Sequence, residues 1–396
     1  QGWRLLLQIH DFAEDYRPDN YRRLVDAIGA EDKADVDSYL YPVAETLHYA
    51  TLTEADSVAL RQLGVPDSCT HTLPNSVVLP QGALEPKETA RATVIRAFSL
   101  PDESRWCLYP VRGIRRKNVG ELLLLSRWVG EGTHVGLTLR PATPVEARSY
   151  DRWKEIAATC APRLRFDAGQ HPDISFLDNV RAADFIVSTS VAEGFGMAFL
   201  EPWLVERQVI ARRLPGVTND FEAAGVDLHN FYDAIPVPGK KAWLESCWKE
   251  TAMAEDQAWS QLPRAFRPNS TPSREGNGDA IDFARLTPSR QVEVLARLRD
   301  DAGFEVELKE RSRCLLQSIA EASSSSSKAD AYIDRNANVV RSKYSAERTG
   351  DQLKQLYGEL MSCELSSLRG PENAGSGIDK ISAARPYYPC RTEVLI

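Results

Sequence analysis

The sequence predicts an α/β chain with two domains, each built on a parallel sheet. Three observations carry that expectation. Short apolar runs alternate with helix-like runs along most of the 396 residues, which is the pattern of parallel strands joined by crossover helices. The first run, RLLLQIH, is apolar nearly throughout, as expected of a strand covered on both faces. The length suits two domains, with room for a helical extension.

RLLLQIH (Arg4–His10) reads as the opening strand and ends in a polar loop holding His10, Asp11, Glu14, Asp15 and Arg17. NYRRLVDAIG reads as a helix closed by Gly29. The acidic stretch DVD (Asp35–Asp37) reads as surface. LHYATLTEADSVALRQLGV gives a short strand, Thr53 as an N-cap, a helix, and Gly64 just past its end. THTLPNSVVLP reads as another short strand with a Pro-Asn turn. Residues 81–97 are polar, contain Pro86 and read as the link between domains, so the first domain is expected over 1–88.

The second domain, expected over 89–343, begins with RWCLYPVRG as a strand entering a basic loop. NVGELLLLSRWV follows as an amphipathic helix. The alternation continues with HVGLTLR (strand), VEARSYDRWKEIAATCA (helix), RLRFDAG (strand), ISFLDNVRAA (helix), DFIVSTS (strand), GMAFLEPWLVER (helix) and QVIARRL (strand). A less orderly helical and loop insertion is expected around 235–335. It contains the turn-rich RPNSTPSREGNGD, the helical SRQVEVLARLRDD and KERSRCLLQSIAEA, and the low-complexity SSSSSK, read as flexible. Residues 344–396 hold a late amphipathic helix, SAERTGDQLKQLYGELM, with Ser345 as N-cap. The terminal YYPCRTEVLI receives no role from its residues.

Composition excludes several classes. The formal net charge of -8 argues against a broad nucleic-acid surface. Seven widely spaced cysteines, with no CxxC pair, argue against a zinc knuckle or redox dithiol and for free thiols in a reducing cytosol. No apolar run is long enough to span a membrane, and no signal peptide is evident, so a cytoplasmic protein is expected. The chain opens directly on a strand pattern, so a preceding segment or a partner chain is expected to complete the first domain.

Ligands of open parallel sheets bind beyond the C-terminal ends of the strands. Three polar clusters fall there: His10 with Asp11, VRGIRRKN, and SVAEGFG. The second carries Arg112, Arg115, Arg116 and Lys117, residue types that grip a phosphate or diphosphate through forks and a mobile point charge. The same residues also suit a solvated basic turn. In the third cluster Gly194 and Gly196 open a helix, where the backbone can approach an anion closely. A lone GFG is otherwise a tight turn. Glu193 and Glu201 flank it with seven residues between them. An acid set among MAFL and PW is poorly explained as solvent-facing, and it can accept hydrogen bonds from ribose or sugar hydroxyls. Neither GxGxxG nor a Walker loop is present, which disfavours a dinucleotide.

EGFGMAFLE resembles the E-x7-E motif of retaining GT-B glycosyltransferases, and RGIRRK resembles the Arg-x4-Lys motif of the same enzymes. The run AADFIVSTSVAEGFGMAFLEPW is similar to the donor-site segment of glycosyltransferase family 4. The motifs stand in the family's order, two βα units apart. The likeness is good from about 105 to 225, weaker from 4 to 80, and poor from about 236 to 335. It implies a GT-B fold, two Rossmann-like domains facing across a cleft, with the N-terminal domain incomplete. It further implies a UDP- or GDP-linked sugar donor, an unidentified hydroxyl acceptor, retention of configuration and no metal or other cofactor. Arg112 and Lys117 would hold the diphosphate, and Glu193 would sit near the donor sugar. Glu201 would bind the ribose, and the backbone at Gly194, Phe195, Gly196 and Met197 would face sugar and phosphate. His10 resembles the histidine that follows an N-domain strand and faces donor and acceptor, although a lone histidine there is otherwise structural. The late helix resembles the one that crosses back to the N-domain.

The sequence departs from the family in lacking any Gly-Gly loop after its first strand. RLLLQIHD resembles a later strand of the N-domain, so the sheet is expected to expose an edge and an apolar face. No convincing DxD metal motif is present. Two alternatives stay open: another GT-B enzyme such as a nucleotide-sugar epimerase or a phosphorylase, and a nucleotide-sugar-binding pseudoenzyme or assembly subunit.

Overall fold

The computed structural model describes residues 3–79, 85–269, 278–323 and 327–395. In the first unit, strands β1 (Leu5–Ile9), β2 (Leu47–Thr51) and β3 (Thr70–Thr72) form a parallel sheet in that order. Helices α1 (Pro18–Ile28) and α2 (Lys33–Leu40) connect β1 to β2, and α3 (Glu54–Leu63) connects β2 to β3. Local chemistry sets the ends of these helices. Gly29 and Gly64 close α1 and α3 in the left-handed conformation, and the Thr53 side chain accepts the Asp56 N–H at the start of α3.

The remaining helix α4 (Lys87–Ala97) leads to the second unit. There β4 (Arg105–Arg112), β5 (Thr133–Leu139), β6 (Leu164–Arg165), β7 (Phe185–Ser188) and β8 (Gln208–Ala211) form a parallel sheet in the order β6-β5-β4-β7-β8. Its crossovers are α5 (Val119–Trp128), α6 (Pro144–Cys160), α7 (Phe176–Ala182) and α8 (Met197–Leu204), and α9 (Pro215–Ala223) follows β8. The sheet is covered on both faces. Along β4, Cys107, Tyr109 and Val111 enter one core while Trp106 and Leu108 enter the other. This alternation between two dry faces explains the nearly continuous apolar runs.

Beyond α9, the antiparallel pair β9 (Pro236–Pro238) and β10 (Ala280–Asp282) is flanked by α10 (Lys241–Trp259), α11 (Pro288–Asp300), α12 (Ala302–Arg311) and α13 (Arg313–Ala322). Helix α14 (Ser327–Lys343) packs against α8. Helix α15 (Ala346–Ser362), capped by Ser345, then lays Leu356 beside Ala50 and Leu73 of the first unit. Helix α16 (Gly377–Ala383) stays on that unit, with Ile378 and Ile381 in its cores.

Several expectations are corrected. β1 is not covered on both faces. It is the edge of its sheet, with Leu5 45% and Leu7 41% exposed, which is the exposed edge expected of RLLLQIHD. The stretch read as a linker is helix α4 from Lys87 onward, because Ala90 and Val94 form a buried stripe against the second unit; residues 80–84 lie outside the described residues. α5 is buried almost all round rather than amphipathic, since it is sandwiched between the sheet and α6 and α11. THTLPNSVVLP contributes only Thr70–Thr72 to the sheet, and RLRFDAG only Leu164–Arg165. Within the described residues of 235–335, α10 to α13 pack against the main core. The low-complexity serine stretch partly lies outside the described residues (324–326), yet α14 already begins at Ser327. Most of the turn-rich loop (270–277) also lies outside them. Asp37, read as surface, is buried and accepts the N–H groups of Gly375 and Gly377 at 2.8 Å each. All seven cysteines are free thiols, and no helix among the described residues is long and apolar enough to cross a membrane.

Candidate active site

β4 and β7 are neighbours in register, Cys107 opposite Phe185 and Leu108 opposite Ile186. Their C-terminal ends therefore release two loops side by side. The β4 loop runs through a tight turn at Arg115–Lys117 into α5, and the β7 loop runs through residues 189–196 into α8. Hydrogen bonds lock the loops together. The Thr189 hydroxyl donates to the Lys117 carbonyl at 2.8 Å, and the Val191 N–H donates to the Arg116 carbonyl at 3.0 Å. Tyr109 and Ser190 share a hydroxyl hydrogen bond of 2.7 Å beneath them. Behind the basic turn, Asn118 adopts a left-handed φ of 48° and donates to Glu121 at 2.9 Å, itself held by buried Arg212 at 2.7 Å.

The Lys117 ammonium pairs with Glu193, and Arg116 reaches the other Glu193 oxygen at 3.1 Å while also donating to the Ala192 carbonyl at 2.8 Å. Burial works to raise the Glu193 pKa, but Lys117 and Arg116 outweigh it and hold the carboxyl below its usual range. Burial lowers the Lys117 pKa, with help from Arg116 and against the pull of Glu193. The result is a largely buried charge cluster at the mouth of α8, with Arg116 still partly exposed.

The remaining expected residues are placed as follows. Arg112 stands exposed at the end of β4 and makes no ion pair among the described residues; the second cation on Glu193 is Arg116. Glu201 lies half-buried in α8, burial raises its pKa, and its carboxylate has no ion pair among the described residues. Gly194 abuts the first unit: a Cβ there would sit 2.9 Å from the His10 carbonyl oxygen. The His10 loop thus closes on the loop before α8, with the His10 side chain exposed. Gly196 takes a φ of 89° as the cap of α8, and a Cβ there would meet the Phe199 ring at 2.7 Å. The Phe195 ring is buried against Phe221 and Tyr344, so only its backbone can face a ligand. Met197 is partly buried against the same core.

Sequence reasoning missed the tail. Arg391 donates to Asp15 Oδ1 and to the Asp15 carbonyl, each at 2.8 Å. Arg385 bridges Asp15, at 3.1 Å, and Asp56. The Thr392 carbonyl accepts from Arg115 at 2.9 Å, and Arg115 also pairs with Glu146 at 2.9 Å. The terminal segment therefore runs from the polar loop of the first unit to the basic turn of the second. Nothing local in YYPCRTEVLI signals this, because its partners lie hundreds of residues away.

No family model matches the chain. It is 29% identical over 238 residues to mannosylglucosyl-3-phosphoglycerate synthase of Petrotoga mobilis, a match covering 59% of this chain and 45% of the synthase. The match thus spans less than half the length of that relative. Among solved structures, the chain is similar to sucrose-phosphate synthase of Thermosynechococcus elongatus, with a TM-score of 0.47, 14% identity and coverage of 91% of this chain and 68% of that one. It is also similar to Anabaena HepE in complex with UDP and glucose, with a TM-score of 0.47, 11% identity and coverage of 89% and 71%.

Proposed function

We propose that this chain is a retaining, family 4-like glycosyltransferase that moves a sugar from a UDP- or GDP-linked donor to a hydroxyl acceptor without a metal. The observation that carries the reading is the joined pair of strand-end loops. It sets Lys117 and Arg116 against Glu193, with the Glu201 carboxylate, which has no ion pair among the described residues, further along α8. The relative named as a synthase of a glycosylated phosphoglycerate supports it.

In this reading a diphosphate replaces Glu193 as the counter-charge of Lys117 and Arg116, joined by exposed Arg112. The N–H groups at Gly194–Met197 add donors at the helix mouth. Glu201 accepts from ribose hydroxyls, and Glu193, once released, lies beside the donor sugar. His10 borders the sugar from the opposite unit. The bond from the anomeric carbon to the diphosphate oxygen breaks, and its electron pair leaves with the nucleotide diphosphate. The acceptor oxygen bonds to the same face of that carbon, and its proton passes to a phosphate oxygen of the leaving group. The sugar is oxocarbenium-like in between. Fixed cations stabilise the charge that develops on the leaving group.

The test is release of nucleotide diphosphate from a panel of UDP- and GDP-sugars by the purified chain, with and without chelator. Turnover of at least one donor, unchanged by chelator, is expected. Donor binding without any turnover would point to a binding protein instead, and abolition by chelator would overturn metal independence.

A further inference from the structure

A closed ring of buried hydrogen bonds lies behind the basic turn. Gln291 of α11 donates from Nε2 to Asn118 Oδ1 at 3.1 Å and to the Phe283 carbonyl at 3.2 Å. Asn118 donates in turn to Glu121, Glu121 is held by Arg212, and Arg212 forks onto Asp282 at 2.8 and 2.9 Å. Asp282 is the chain neighbour of Phe283, which closes the ring. The Phe283 carbonyl and the Glu121 carboxylate only accept, so the orientation of both amides is fixed. Asn118, Glu121, Arg212 and Gln291 are all buried. Two features of α5 run against helix chemistry, and the ring accounts for both. Asn118 is the N-cap, yet its side chain bonds no backbone N–H of the first turn, the usual task of asparagine there. It is turned to Glu121 and Gln291 instead. Gly120, a weak helix former, stands in that first turn because a Cβ there would collide with Gln291 Oε1 and would meet the Trp153 ring at 2.7 Å.

We propose that Gln291 is a positioning residue: through Asn118 it fixes the backbone of the basic turn, so that the Lys117 ammonium stands where charge develops on the leaving diphosphate. The proposal rests on the glycosyl-transfer reading above. Lys117 directly precedes Asn118, so a shift of Asn118 carries the ammonium with it. The β7 loop holds one side of this dipeptide, because the Thr189 hydroxyl reaches the Lys117 and Asn118 carbonyls at 2.8 and 3.2 Å. The ring holds the other side through the Asn118 side chain. The left-handed backbone of Asn118 is unfavourable in itself for a residue with a Cβ, and these contacts keep it. Fixed charges stabilise a leaving group when they are aligned before the reaction. A misplacement of about 1 Å can cost on the order of 100-fold.

The experiment is steady-state release of nucleotide diphosphate by the full chain, from whichever donor it hydrolyses, with Tm read beside it. Gln291→Met keeps the length of the side chain and removes both donors. It is expected to lower kcat about tenfold, the scale of one buried hydrogen bond. Donor KM should move less than about threefold, because Lys117 keeps its charge. Asn118→Gly cuts the ring from its other side without straining the backbone, since glycine takes a positive φ freely, and the same loss of kcat is expected. Leu298→Ala, buried in the core from the same helix, controls for stability: its Tm should fall at least as far, with kcat unchanged. In the Lys117→Ala background Gln291→Met should change kcat by less than about threefold, because the group it positions is gone. The proposal is overturned if Gln291→Met or Asn118→Gly folds and keeps the parental kcat, if Leu298→Ala loses kcat to the same degree, or if the tenfold loss persists without Lys117. Absence of any donor hydrolysis by the parent would instead sink the glycosyl-transfer reading, and this proposal with it.

Discussion

The Lys117 side chain is held between opposing influences. Burial and Arg116 both lower its pKa, and Glu193 keeps it charged. Lys117→Ala should lower kcat/KM for the donor by roughly 100-fold or more, the scale of losing one preorganised charge-stabilising group. Its Tm should stay within a few degrees of the parent, because Glu193 keeps Arg116. Parental turnover would remove Lys117 from the site. Glu201→Ala should instead act mainly on donor KM, by about tenfold, since the proposed ribose contact would act in ground and transition states alike. A fall confined to kcat would contradict that role. Glu14 gives a separate pH signature. Burial pushes its pKa up to about 7, although it accepts from the Tyr41 hydroxyl and feels Arg385. A raised acid binds a proton in the folded state that the unfolded chain has released, so stability is lost as pH rises from about 4.5 to 7. The loss is on the order of 3 kcal/mol. Glu14→Gln should flatten the decline of Tm across that window, and an unchanged slope would show that Glu14 does not cause it.

The loop opening α8 depends on two glycines for different reasons. Gly196 combines a φ of 89° with a neighbour only 2.7 Å from any added Cβ. Gly196→Ala should therefore cost roughly 1–3 kcal/mol, read as a lower Tm. Gly194 has ordinary backbone geometry, but the His10 carbonyl would stand 2.9 Å from its Cβ. Gly194→Ala should push the two units apart and impair donor turnover more than it lowers Tm. The reverse order of effects would mean that the His10 contact is unimportant. Elements of this kind were legible where local chemistry decides. Gly29, Gly64, Thr53 and Ser345 cap helices as their types suggest. The pairing of RGIRRK with EGFG was legible as well, because adjacent parallel strands bring successive loops to one edge. Elements decided by distant packing were not. β1 looks buried but is an edge, α4 looks like a linker but carries a buried stripe, and Asp37 looks exposed but binds the backbone of α16's first turn. Phe195 sits in a ligand-like motif yet spends its ring on the core. In each case the partner lies in another element, and no spacing rule encodes it.

The whole molecule is held across its cleft by the chain's own end. The tail leaves the first unit at α16, pairs Arg385 and Arg391 with Asp15 and Asp56, and delivers the Thr392 carbonyl to Arg115 of the basic turn. Arg391 and Asp15 are 376 residues apart, so composition and periodicity carry no trace of the contact. Burial works to raise the Asp15 pKa, but Arg391 and Arg385 bring it down to about 2. A depressed acid contributes stability that is present above its unfolded pKa and is lost as pH falls from about 4 toward 2. Removing Arg391 leaves Asp15 charged and short of one partner, so Arg391→Ala should cost about 3 kcal/mol at neutral pH, near the low end for a broken buried pair because Arg385 remains. Asp15→Asn removes the need for that partner. In the double variant the two losses should fall short of their sum by more than about 0.5 kcal/mol, the mark of groups in direct contact. Thermal unfolding of the four proteins at pH 7 and pH 3 measures both effects. Strict additivity would show that tail and loop are independent. A smaller Arg391→Ala effect at pH 3 than at pH 7 is expected, because protonation of Asp15 begins to dissolve the pair there. The same tail arginines border a cavity next to Glu193, so loosening this clasp should also widen that cavity and reduce turnover.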